Sequence, residues 1–253
     1  MSFTMLKFIA QNFLKMKHIN HNRNPLFITC MLITLMANSQ ADYTKFYLQK
    51  DSFKKKLAAL RGEYSRHKVI PAELETECLT ALSFYPELKD TYIEFRFGNI
   101  KTTMESRPKM NFIFKSKNSR RYVIIISHEK NEATNLDWKQ LSFNALVGWI
   151  GHELGHVVYY SGINNGGILL TGAQYPFNGF KRKIEHIADQ MAINHNLGFA
   201  LYEGTEYTIN HSKATKTYIA KQVKFYFSPK EIIRASFLQD QTASLHIKPT
   251  FQN

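Results

Sequence analysis

Cysteine is nearly absent: the 253 residues hold two, Cys30 and Cys78, so a disulfide scaffold is excluded and the fold must be held by its core. Acidic residues are missing from the first forty positions, which carry Lys7, Lys15, Lys17 and Arg23. The apolar run at 26–37 is too short to span a membrane, since as a helix it would reach only about 18 Å against the roughly 30 Å of a bilayer core. Internal repeats and low-complexity stretches are also lacking, which excludes solenoid and collagen-like chains.

What the first forty residues do contain is a secretory pattern: a basic segment, the apolar run from Leu26 to Ala37, and small residues at Ala37 and Ser39. This predicts a signal peptide over 1–39, cleaved at Ser39-Gln40 to give a periplasmic, cell-surface or secreted protein. The alternative is an uncleaved segment that anchors the chain to a membrane. Acylation at Cys30 is discounted, because Cys30 sits early in the apolar run without small residues before it.

Cleavage would remove four cations and no anion, lowering the formal net charge from +13 to +9. Basic clusters stand at Lys54-Lys55-Lys56, Arg120-Arg121 and Lys181-Arg182-Lys183. For an exported domain such charge points to contact with anionic cell-surface or membrane components, and no nucleic-acid partner is expected. The oligomeric state is not legible.

At this length one domain over 40–253 is expected. Apolar residues at helical spacing predict helices across 40–89, with Pro71 opening one whose first turns hold Glu73, Glu75 and Glu77. From Asp90 the period changes to alternation, Ile93, Phe95 and Phe97 against Tyr92, Glu94 and Arg96. Met110, Phe112 and Phe114 repeat it, and Tyr122 to Ile126 is a β-branched run. A sheet over 90–127 is therefore predicted, small and mostly antiparallel. Helical spacing returns over Leu141 to Tyr160. A Gly-rich connector follows from Ser161 to Gly179, then a helix from about Phe180 to Leu197 that ends at Gly198. Within 199–253, Ser228-Pro229-Lys230-Glu231 announces a further capped helix. The expected class is α+β, with the sheet packed on the helix pair within 141–198 and helices at both ends.

The chemistry is concentrated in His152-Glu153-Leu154-Gly155-His156. On a helix, residues four apart share a face, so both imidazoles can bind one ion, while Glu153 is turned about 100° aside to act on a water as general base. Buried charges on so apolar a segment would be costly unless paired or metallated. A zinc ion needs a third ligand, and Glu185-His186-Ile187-Ala188-Asp189 offers one on the next helix. Glu185 is the first choice, with His186 and Asp189 as competitors. With Glu185 as ligand, Asp189 one turn on can accept from the outer nitrogen of a metal-binding histidine. Gly155 is expected to admit another element close to the metal, and Lys181, Arg182 and Lys183 to face an acidic substrate. Tyr159, Tyr175, His195, Tyr207 and His211 are candidates for steadying an oxyanion.

These two motifs together resemble the gluzincin superfamily of zinc metallopeptidases. The resemblance covers about 142–198. It implies one zinc per chain held by His152, His156 and Glu185, Glu153 as base, hydrolysis of a peptide or protein substrate, and an edge strand near Tyr122 to Ile126 that pairs with extended peptide. The 29-position interval from His156 to Glu185 differs from that of thermolysin-like members, so no family within the superfamily is assigned. The metzincin pattern is absent, because no third histidine accompanies Gly162 and Gly166. A basic binding module with a structural zinc and no catalysis is the alternative.

Overall fold

A computed structural model describes residues 47–128 and 132–246, with side chains described as far as 240. The expected signal peptide, its cleavage point and residues 40–46 lie outside these. No described helix is long and apolar enough to cross a membrane.

Two short helices, α1 (Lys50–Lys55) and α2 (Leu57–Tyr64), lead to the strand β1 (Lys68–Val69). Helix α3 (Glu75–Ser83) then crosses to β2 (Tyr92–Gly98), burying Cys78, Leu79 and Leu82. The hairpin-like strand β3 (Met104–Pro108) and β4 (Arg121–Ser127) complete a four-stranded sheet in the order β1-β2-β4-β3.

The sheet is mixed rather than mostly antiparallel: β1 with β2 and β2 with β4 are parallel, and only β3 with β4 is antiparallel. Parallel neighbours need a crossover, and α3 supplies the one between β1 and β2. Strand β4 enters between β2 and β3, which is why its Tyr122–Ile126 run is apolar throughout instead of alternating. It is therefore a central strand, not the edge that the resemblance implied. The outer edge on that side belongs to β3. Met110–Phe114, expected as a strand, is a 3₁₀ turn that leaves Met110, Ile113 and Phe114 exposed.

One face of the sheet, through Ile93, Phe95, Tyr122, Ile124 and Ile126, joins a continuous core with Ala145, Leu146, Ile150, Leu154 and Val157 of helix α4 (Phe143–Gly162). Ser142 caps α4 by accepting from the Ala145 N–H at 3.1 Å. The Gly-rich connector is not a plain loop: Asn164 caps a ten-residue helix, α5 (Asn165–Gln174), accepting from the Gly167 N–H at 2.7 Å. Helix α6 (Asn178–Ala192) follows and runs into a π-helical turn, where Asn196 at φ 60° takes the left-handed position expected of Gly198. Asparagine tolerates that conformation better than most residues. Gly198 instead opens α7 (Gly198–Glu206), and a Cβ there would meet Ser236 Oγ at 2.0 Å. Helices α8 (Lys216–Phe225) and α9 (Pro229–His246) close the described chain.

Candidate metal centre

Close helix packing sets the site. At Gly148 of α4 a Cβ would stand 2.3 Å from the Ala200 carbonyl carbon of α7, and at Gly155 it would stand 2.9 Å from Ala188 O of α6. With hydrogen alone at both positions, α6 and α7 lie directly against the helix that carries the histidines. Gly155 thus admits α6, the element that bears Glu185 and Asp189.

Between α4 and α6 the side chains of His152, His156 and Glu185 converge, all buried. Their three donor atoms lie within 4.8 Å of one another, making the one cluster of at least three metal-binding side chains among the described residues. Glu185 Oε2 is 3.3 Å from His152 Nε2 and 3.2 Å from His156 Nε2. Ligands bonded at about 2.0–2.1 Å to a tetrahedral ion are about 3.3 Å apart, so the carboxylate oxygen stands one such edge from each imidazole nitrogen.

The outer nitrogen of His152, Nδ1, is 2.8 Å from Asp189 Oδ1. Asp189 Oδ2 accepts from the Phe227 N–H at 2.8 Å, which ties the segment after α8 to the site. Burial opposes a charge on His152, but the Asp189 and Glu185 carboxylates outweigh it and keep the imidazole protonated well above its usual range. Burial likewise opposes charge on Glu185, and its two histidine partners hold the carboxyl well below its ordinary value. The buried carboxylates thus call for positive charge at this point, supplied either by protons or by a cation.

Glu153 lies beside the cluster. Burial raises its pKa, partly offset by His152 and His156 and by Ser106 of β3, which faces it without a hydrogen bond of normal geometry. Glu153 Oε2 and His156 Nδ1 are buried with no hydrogen-bond partner. For a buried carboxylate oxygen that is unusual, and it suits an atom that acts on a bound molecule. His152, Glu153, Met104, Tyr218 and Tyr226 line one cavity between β3, α4 and α8, where the Tyr218 hydroxyl and Thr103 Oγ1 are 2.7 Å apart.

The remaining candidates divide. Tyr175, at the end of α5, donates its hydroxyl hydrogen to Glu185 Oε1; burial and that carboxylate raise its pKa. Tyr159 pairs with Thr171 at 3.3 Å. His195 is engaged with Met191 O and Glu87 and stacked on Tyr85, and Tyr207 and His211 line a separate cavity. The His186 ring packs against Phe227 at 4.4 Å and is not part of the cluster. Lys181 Nζ sits over the rings of Tyr175 and Phe225 at 5.1 and 4.8 Å, while Arg182 donates to Lys224 O.

Two residues near the centre escaped sequence reasoning. Tyr160, whose hydroxyl is pushed up to about 12 by burial and by Glu185, stacks near His156. Tyr226 lies with its ring 5.5 Å from that of His152, and burial followed by Glu185 raises its pKa well above the phenol range. Tyr160 was accessible from its spacing, four residues after His156 on one helix face.

In comparisons with known proteins, no family model, no characterised protein and no solved structure matches this chain.

Proposed function

We propose that the protein is a zinc-dependent hydrolase that cleaves peptide bonds, the activity implied by the gluzincin resemblance. The observation that carries this is the convergence of His152 Nε2, His156 Nε2 and Glu185 Oε2 with Glu153 beside them. Two imidazoles and one carboxylate are a donor set suited to zinc, and three protein ligands leave a fourth position open. Zinc bound there supplies Lewis acidity to a water molecule and to a carbonyl group.

The chain's own residues supply the rest. Asp189 accepts from Nδ1 of His152, which leaves Nε2 free for the ion. Glu153 takes a proton at Oε2 and delivers it to the departing amine. Tyr226, kept protonated by its surroundings, is the donor we assign to the carbonyl oxygen. The preference for a polypeptide comes from β3: an edge strand beside Glu153 offers main-chain hydrogen bonds to an extended chain.

Glu153→Gln tests this. The variant should hold zinc as the parent does, while hydrolysis of a mixed peptide library falls by about 100- to 10,000-fold. Undiminished cleavage would remove Glu153 from the reaction. Tight zinc binding by a parent protein that cleaves no peptide would favour a structural zinc in a binding module.

A further inference from the structure

A second surface is built from the 3₁₀ turn after β3 and from α5. Phe114 is 87% and Met110 74% exposed, and Ile113, Leu169 and Leu170 are also exposed. The two elements are joined: Asn165 Nδ2 donates to Ile113 O and Lys115 O, both at 3.2 Å, and Lys117 Nζ donates to Gly162 O at 2.8 Å. Arg120 braces the same junction from beneath through Tyr160 O and Ile163 O. Leu169 lies one helical turn beyond Asn165 on the same side of α5. Helix α5 has no charged residue, so its solvent face is apolar, whereas a surface helix ordinarily presents charge to water.

Two exposed lysines, Lys115 and Lys117, belong to the turn itself. The sequence between Glu105 and Glu129 holds six cations and no acidic residue; of these, Lys109 pairs with Glu94, Arg107 lies 4.0 Å from Glu105 and Arg120 is buried, which leaves Lys115 and Lys117 as the cations of the exposed turn. Protruding apolar side chains interleaved with Lys115 and Lys117 match the interface of an anionic bilayer, where acyl chains take the apolar groups and headgroups take the cations. A second copy of the chain is disfavoured as occupant, because an isologous contact through this patch would bring Lys115 and Lys117 of both copies together.

We infer that the 110–117 turn and α5 form a docking surface for anionic membranes, with Phe114 and Leu170 entering the headgroup boundary and Lys115 and Lys117 contacting lipid phosphates. This does not depend on the hydrolase proposal.

The test places an environment-sensitive fluorophore on the full chain at Phe114→Cys, Leu170→Cys or, as a control, Val69→Cys, in a Cys30→Ser background; Cys78 is buried. Val69 is on β1, at the opposite sheet edge from β3. With vesicles of phosphatidylcholine and phosphatidylglycerol, the probes at 114 and 170 should shift to the blue and be quenched by a lipid-borne quencher, while the probe at 69 stays in water. Pure phosphatidylcholine should give a much smaller response. Lys115→Gln and Lys117→Gln should each weaken the interaction about fivefold.

Probes at 114 and 170 that stay in water on anionic vesicles would overturn the inference, even when the chain is bound through another segment. So would an equal response to neutral vesicles. A blue-shifted probe before any lipid is added would show the patch covered by another segment or a second copy, and would also overturn it.

Discussion

At Tyr226 the local sequence carries no signal at all: the residue follows α8, far along the chain from His152, and long-range contacts, among them the hydrogen bond from the neighbouring Phe227 N–H to Asp189 Oδ2, bring it to the centre. By contrast, the pairing of His152 with His156 is legible, because the helical period aligns residues four apart; Glu185 enters as the third ligand that zinc needs, and Asp189 follows from Glu185 by the same period. His186 illustrates the limit: it is adjacent to Glu185 in sequence, but the helix turns its ring about 100° away, onto Phe227. Two predictions belong at this scale. Tyr226→Phe should lower kcat by about 100- to 1,000-fold if its hydroxyl serves the oxyanion, with KM and zinc content little changed; steady-state kinetics beside metal analysis checks this. Asp189→Asn should weaken zinc binding by about 10- to 100-fold, as competition against a chelator of known affinity would show.

Among the elements, the helices were more legible than the strands. Capping residues announce helix starts locally. The Ser228 box forms as its sequence suggests, with Ser228 N–H and Oγ both donating to Glu231 Oε2 and the Glu231 N–H directed back to Ser228 Oγ. Strand partners, however, are set by long-range packing. Met104–Pro108 is short, polar and ends in proline, all properties of an edge strand, while Met110–Phe114 alternates in sequence and yet forms a turn. There Phe112 turns into the protein while Met110 and Phe114 face solvent, in a turn and not a sheet. The cap also has a pH signature. Ser228 holds the Glu231 carboxyl below its ordinary value of 4.5, so its contribution is present above that pH and is lost as the pH falls through the lower folded value. Glu231→Gln should therefore lower the melting temperature at pH 7, and the gap between parent and variant should close in strong acid. A gap independent of pH would mean that the carboxylate charge plays no part.

Across the whole molecule, five of the buried titratable side chains among the described residues, His152, Glu153, His156, Glu185 and Asp189, gather at one place, while Glu77 and Arg120 are buried apart from them. A 253-residue chain with one described, buried free cysteine, Cys78, relies on its core, and five titratable side chains inside that core are costly unless their charges are matched. Zinc binding should therefore stabilise the fold as well as equip it. At free zinc about 1,000 times the dissociation constant the gain is about 4 kcal/mol, visible as a higher melting temperature that a chelator reverses. The most direct measurement is zinc per chain, by mass spectrometry on the purified protein and its Glu185→Gln and Glu153→Gln variants. One zinc in the parent, one in Glu153→Gln and a marked loss in Glu185→Gln is the expected result. A parent that takes up no zinc on reconstitution, or a Glu185→Gln variant that holds it undiminished, would contradict the three-ligand centre.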